Sequence, residues 1–97
     1  MATPEGKVKD RVVTILKRLK IYYFFPSMNG YGRAGVPDII CCVNGSFMGI
    51  ECKAGDNQPT DLQEIEMSKI RLSGGYTFVV RESNIVGLEA LLLLLLG

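Results

Sequence analysis

Two adjacent residues, Asn44 and Gly45, constrain this chain more than any others. They separate two apolar runs, Val36 to Val43 and Ser46 to about Ala54. Asn-Gly between such runs is the strongest short hairpin signal, because a type I′ turn requires positive φ at both central positions. The runs are therefore read as antiparallel strands. With a two-residue loop and no bulge, Val43 pairs with Ser46. Counting outward then sets Asp38 opposite Glu51 on one side of the sheet, with Cβ atoms ~4.5–5.5 Å apart. Lys53 shares that side, and Cys52 points to the other.

The elements around the hairpin follow from periodicity and punctuation. Thr3 is an N-cap and Pro4 a first helical residue for a helix running to about Leu19. Val8, Val12, Ile15, Leu16 and Leu19 form its apolar face, and Glu5 lies one turn before Val8 on the same face. Glu5 is read either as a first-turn acid favoured by the helix dipole or as an inward-pointing acid that needs a partner. Ile21 to Phe25 is a short strand closed by Pro26, and Ser27 to Gly35 is a loop. Thr60 and Gln63 have capping-box spacing and open a second helix carrying Leu62, Ile65, Met67, Ile70 and Leu72. It stops at Gly74-Gly75, before a strand from Tyr76 to Arg81. A helical crossover between strands favours a parallel, right-handed unit. Ser83 is expected to cap a last helix that ends in leucines. The order is α-β-β-β-α-β-α, an α/β fold with a mixed four-stranded sheet, in a single domain over residues 1–97.

Composition removes several kinds of chemistry. The chain has no histidine, which excludes imidazole bases and ligands. Cys41, Cys42 and Cys52 are an odd set, and no secretory signal is read, so reduced thiols and a cytoplasmic setting are expected. The cysteines are read as small buried apolar residues rather than a zinc site. Residues 1–36 hold seven basic side chains against two acidic ones, a net of +5, and the remainder is net −4. That basic half fits a polyanionic partner, and equally a solvated helix face. The run Leu91 to Leu96 is too short to span a bilayer, which takes about 20 apolar residues. No membrane association and no small-molecule cofactor are expected.

The charged face of the hairpin needs an explanation. Like charges directly opposed in a sheet repel, and strand interiors disfavour Asp and Glu. The rest of the hairpin is apolar. A divalent cation would relieve the repulsion, and hard oxygen ligands suit Mg²⁺, with Mn²⁺ able to substitute. The other reading is a solvated edge where Lys53 pairs with an acid. A lysine beside metal-bound carboxylates can orient water or stabilise charge on a phosphoryl oxygen.

Pro37-Asp38, a spacer of twelve residues, then Glu51-Cys52-Lys53 resembles the PD-(D/E)XK nuclease signature. The wider context is Gly35-Val36-Pro37-Asp38, the hairpin, Gly49-Ile50-Glu51-Cys52-Lys53, Gln63 on the next helix and Gly75-Tyr76 before the last strand. It resembles the VRR-NUC family, the virus-type replication-repair nucleases, from Glu5 to about Arg81. The resemblance implies the restriction-endonuclease-like core, α-β-β-β-α-β, here followed by a C-terminal helix. It implies metal ligation by Asp38, Glu51 and the Cys52 backbone carbonyl, with Glu5 as a further ligand from the first helix. Lys53 would position water or neutralise the transition state. Gln63 would sit beside the site, or serve only as a helix cap. The chain resembles the stand-alone viral or phage type, which would place it in the host cytoplasm. Such nucleases resemble Holliday-junction resolvases acting as homodimers on branched DNA. The leucine-rich helix would supply the dimer interface or pack within the monomer. Lys7, Lys9, Arg11, Arg33 and Lys69 are the candidate DNA contacts, with the Ser27 to Arg33 loop near the substrate. The alternatives are a flap or 5′-end nuclease on the same fold, and a catalytically silent DNA-binding module.

Overall fold

A computed structural model describes residues 3–26 and 33–97. The elements are α1 (Pro4–Arg18), β1 (Tyr22–Phe24), β2 (Ile39–Val43), β3 (Ser46–Cys52), α2 (Asp61–Leu72), β4 (Tyr76–Val80) and α3 (Ile85–Leu96). The Thr3 hydroxyl accepts the Gly6 N–H at 3.0 Å, which fixes the start of α1. Its end is a Schellman turn: the Ile21 and Lys20 N–H groups donate to the Leu16 and Lys17 carbonyls, with Lys20 at φ 59°.

The sheet order is β1-β2-β3-β4. β2 and β3 pair antiparallel from Val43↔Ser46 to Ile39↔Ile50, the register that the turn predicts. Asn44 and Gly45 have φ of 51° and 86°, as a type I′ turn requires. The Asn44 side-chain amide also donates to the Leu95 carbonyl, tying the turn to α3. β3 and β4 are parallel across the α2 crossover, as expected.

Alternation along the strands sorts the side chains onto two faces. Ile39, Cys41, Val43, Met48, Ile50, Cys52 and Val80 meet Val8, Val12 and Leu16 of α1 and Ile85, Leu88 and Leu92 of α3 in the main core. The opposite face carries Phe47, Gly49, Glu51 and Lys53, and α2 leans over its β3–β4 half. A side chain at Gly49 would meet Pro37 and Ile70, so glycine lets the chain before β2 and helix α2 close over this face. Gly35 has φ 86° and comes so near the Leu62 backbone that a Cβ would lie 2.6 Å from it. That contact seats the segment leading to Asp38.

Several expected boundaries are corrected. β2 begins at Ile39 rather than Val36, because Pro37 has no N–H and the Cys52 N–H goes to the Asp38 carboxylate instead of the ladder. β1, β3 and β4 are each shorter than expected at their ends. The cap of α3 is Asn84, not Ser83. The Asn84 side chain binds back to the Arg81 N–H and the Val79 carbonyl, so the helix starts after it. Cys42 is exposed rather than buried, because it lies on the face opposite Cys41. On α2, Leu62, Ile65 and Leu72 are exposed, and the buried residues are Met67 and Glu66. The leucine run divides: Leu92 joins Leu88 in the core, Leu91 and Leu95 pack against it, and Leu93, Leu94 and Leu96 face outward. The expected Ser27 to Arg33 loop lies outside the described residues except for Arg33.

This packing predicts that Leu92→Ala lowers unfolding stability by about 2–5 kcal/mol, the usual cost of a large-to-small core change. Leu72→Ala, at 88% exposure, changes it by less than about 0.5 kcal/mol. Urea unfolding followed by circular dichroism reads both.

Candidate active site

Glu51 is the centre of the charged face. It projects from β3 toward α2 and is 1% exposed. One carboxylate oxygen, Oε2, accepts from the Gln63 side-chain amide at 3.0 Å and lies 3.8 Å from the Lys53 ammonium. The other, Oε1, is buried with no hydrogen-bond partner among the described residues. Burying a carboxylate oxygen without a partner costs free energy, so this orphan marks a position prepared for something positive or protic.

Asp38 approaches from just outside β2. One carboxylate oxygen accepts the Cys52 backbone N–H at 2.9 Å, which orients the side chain beside β3. The two acids interact. Burial first, and then the Asp38 charge, push the Glu51 carboxyl up to about 8; Lys53 opposes the rise, and contact with Asp38 and the charge of Glu5 add to it. The Cys52 thiol is pushed up to about 12, again by burial first and then by Asp38 and Glu51. It stays protonated on the core face, so sulfur ligation is not its chemistry. Lys53 is nearly buried, and its backbone N–H donates to the Val80 carbonyl. β4 therefore holds the lysine in line with Glu51.

Gln63 satisfies both of its readings at once. Its carbonyl oxygen accepts the Thr60 N–H at 2.8 Å, and the Thr60 hydroxyl accepts the Gln63 N–H at 3.2 Å, completing the capping box. With the oxygen engaged there, the amide NH₂ is left to point at Glu51. The helix cap thus aims a donor at the buried carboxylate.

Asp38 and Gln63 open onto a groove of about 190 Å³ that also holds Lys9, Phe25 and Pro37. The Lys9 ammonium sits 4.2 Å from the centre of the Phe25 ring, a cation–π contact that holds the charge at the mouth of the site. Glu5, one turn before Lys9, is exposed. Of its two readings, the structure has the first-turn acid rather than the inward-pointing one: Gly6 and Val8 occupy the buried positions of that turn. Its charge still reaches Glu51. Among the described residues, no cluster of three or more His, Cys, Asp or Glu side chains is gathered, so Asp38 and Glu51 stand as a pair.

The candidate DNA contacts divide between α1 and the surroundings of Glu66. Lys7 and Arg11 are exposed on α1. Arg33 and Lys69 both pair with Glu66, at 3.1 and 3.4 Å, in a separate hollow beside Phe47. Sequence reasoning missed Glu66, which is 7% exposed. Its position three residues before Lys69, next to the core residue Met67, was the available signal.

The expected fold is borne out by comparison with solved structures. A protein described as "VRR_NUC domain protein" superposes with a TM-score of 0.76 at 20% identity, over 98% of this chain and 92% of that one. The α/β architecture with its mixed four-stranded sheet is therefore shared with that protein. No family model and no curated protein matches the sequence.

The buried acid makes stability depend on pH in a definite direction. Its folded pKa of about 8 lies above the ordinary value of 4.5, so the folded state binds the extra proton between them. This contribution is fully present below the ordinary value and is lost as pH rises to the folded one. In EDTA, Glu51→Gln is expected to melt above wild type at pH 8, with the advantage shrinking toward pH 5. Thermal melts at the two pH values check this; an equal offset at both would place the pKa elsewhere.

Proposed function

We propose that this chain is a metal-dependent nuclease that hydrolyses DNA phosphodiester bonds at Asp38, Glu51 and Lys53. The observation that carries the reading is the buried Oε1 of Glu51, without a hydrogen-bond partner among the described residues, in a side chain that has a second carboxylate, Asp38, beside it. The donors are hard oxygens and only two side chains supply them, which fits Mg²⁺, an ion that keeps several waters, with Mn²⁺ as a substitute. The fold shared with a VRR_NUC domain protein supports the same reading.

Each residue then has a task. Asp38 and Glu51 would hold the ion, with the Cys52 carbonyl as a third ligand and Glu5 as an outer carboxylate acting through water. A bound Mg²⁺ supplies Lewis acidity and a lowered pKa for water. Lys53 holds the attacking water or neutralises charge building on the phosphoryl oxygen. Gln63 keeps Oε2 of Glu51 turned toward the helix, leaving Oε1 for the ion. Lys9 meets the phosphate at the mouth of the groove. Lys7, Arg11, Arg33 and Lys69 take more distant phosphates, which position a strand without reading its sequence. Free Cys41, Cys42 and Cys52 fit a reducing compartment such as the cytoplasm. No helix among the described residues is long and apolar enough to cross a membrane.

The substrate we propose is branched DNA of the Holliday-junction kind, cut by a homodimer. The outward side of α3 supports this: Val86, Leu93 and Leu94 are 78%, 50% and 76% exposed on one stripe. An isologous contact between two such helices is the commonest way to bury it. A silent DNA-binding module would have no use for a buried Glu51 beside Asp38 with a lysine in line.

Cleavage assays on a four-way junction, a flap and plain duplex, with Mg²⁺ and with EDTA, test the reading. Asp38→Ala and Lys53→Met are expected to lose at least about 100-fold in rate, the scale of losing a transition-state contact. Unchanged rates in both variants would sink the assignment. Paired symmetric cuts are expected on the junction. In sedimentation a dimer is expected, and Leu94→Glu should split it; a wild-type monomer at micromolar concentration would remove the paired-cut scheme.

A further inference from the structure

The face of the sheet that α2 leaves uncovered is aromatic. Tyr22, Phe24 and Phe47 are 71%, 47% and 49% exposed. Strand register gathers them: Tyr22 pairs with Cys42, Cys42 with Phe47, and Phe24 with Ile40. The Tyr22 and Phe24 rings lie 6.4 Å apart between centroids. Phe24, Ile40 and Phe47 line a hollow of about 240 Å³ that Pro37, Ile70 and Arg33 complete. An exposed apolar patch of this kind marks a binding surface.

Two features say what binds there. The first is continuity. The hollow shares Pro26, Val36 and Pro37 as a wall with the groove into which Asp38 opens. A ligand lying on the aromatics therefore runs directly to the acid pair. The second is charge. Glu66 is a single carboxylate between Arg33 and Lys69, so the far end of the track keeps a surplus positive charge. Lys9 over Phe25 supplies another at the near end. Aromatic faces along a path flanked by cations are the recognition chemistry of a single nucleic-acid strand, whose bases stack while its phosphates meet the cations. A duplex offers such a surface only its end pairs, because its other bases are already stacked inside, whereas each unpaired base presents a free face.

We infer that Tyr22, Phe24 and Phe47 form a stacking platform for unpaired nucleotides leading from the Asp38–Glu51 site toward Arg33 and Lys69. The inference rests on the nuclease reading and names the form of its substrate: a branched or flapped DNA with an unpaired arm lying on this face.

The chain contains no tryptophan, so Phe47→Trp creates a single reporter on the platform. With EDTA present, short oligothymidylate is expected to quench its fluorescence, and a duplex of equal length is not. In the same background Phe24→Ala and Tyr22→Ala should each weaken single-strand binding by about five- to 100-fold, the scale of one lost base–aromatic stack. Phe24→Leu should lose as much, and Phe24→Tyr should keep the affinity; this separates stacking from mere apolar contact. Circular dichroism melts check that each variant folds. Equal quenching by duplex, no quenching, or unchanged affinity in the alanine variants overturns the platform. So does a Phe47→Ala variant that alters sedimentation while binding the single strand normally, which would give the face to a protein partner. Mg²⁺-dependent cleavage by the wild type is scored separately. Cleavage without platform binding rejects only the platform; platform binding without cleavage leaves it standing and rejects the nuclease.

Discussion

The β2–β3 ladder ends at Ile39↔Ile50, which brings Asp38 close to Glu51 at its open end, and the rest of the site is arranged around the repulsion between the two acids. The Asn44-Gly45 turn sets the pairing of β2 and β3, and a one-residue slip would send every side chain of a strand to the opposite face. The Cys52 N–H ties the Asp38 carboxylate to β3, and the other face of the hairpin is the main core. Asp38 is relieved in part by the Cys52 N–H. Glu51 is relieved on one oxygen by Gln63 and Lys53 and on the other not at all. A structure keeps such a conflict only where its surroundings hold it in place, and charged groups held this way concentrate at working sites.

Two elements with structural duties also serve the acid pair. The capping box of α2 stabilises a helix end, and in closing it aims the Gln63 amide at Glu51. The parallel pairing of β3 with β4 extends one residue beyond the strand through the Lys53 N–H, and so steadies the lysine. A side chain locked by its own backbone partners loses little entropy when it engages a substrate, which is how a small domain keeps a site rigid.

Much of this was legible in the residues. The turn, the opposed acids, the capping box, the parallel crossover and the element order all depend on neighbours in sequence or on strand periodicity. That Glu5 stays exposed was not legible, because helical spacing defines a stripe while the sheet decides which part of it is covered. The cap of α3 passed from Ser83 to Asn84 because the Asn84 side chain found partners at Val79 in β4 and Arg81 just after it. The leucine run reads as apolar all round, and only docking against the sheet separates Leu92 from Leu94. The scatter of the five candidate cations was hidden for the same reason: Arg33 and Lys69 meet only through Glu66, which folding brings to Arg33.

By itself the sequence determined the hairpin register, and with it the face shared by Asp38, Glu51 and Lys53. Positive-φ residues and period-two alternation act locally and leave no freedom at that point. Tertiary structure decided what surrounds that face: the amide that reaches one oxygen of Glu51, the burial that leaves the other bare, and the aromatic surface left open beside them. Those outcomes depend on where α1, α2 and α3 dock, and docking is settled by packing between residues far apart in the chain.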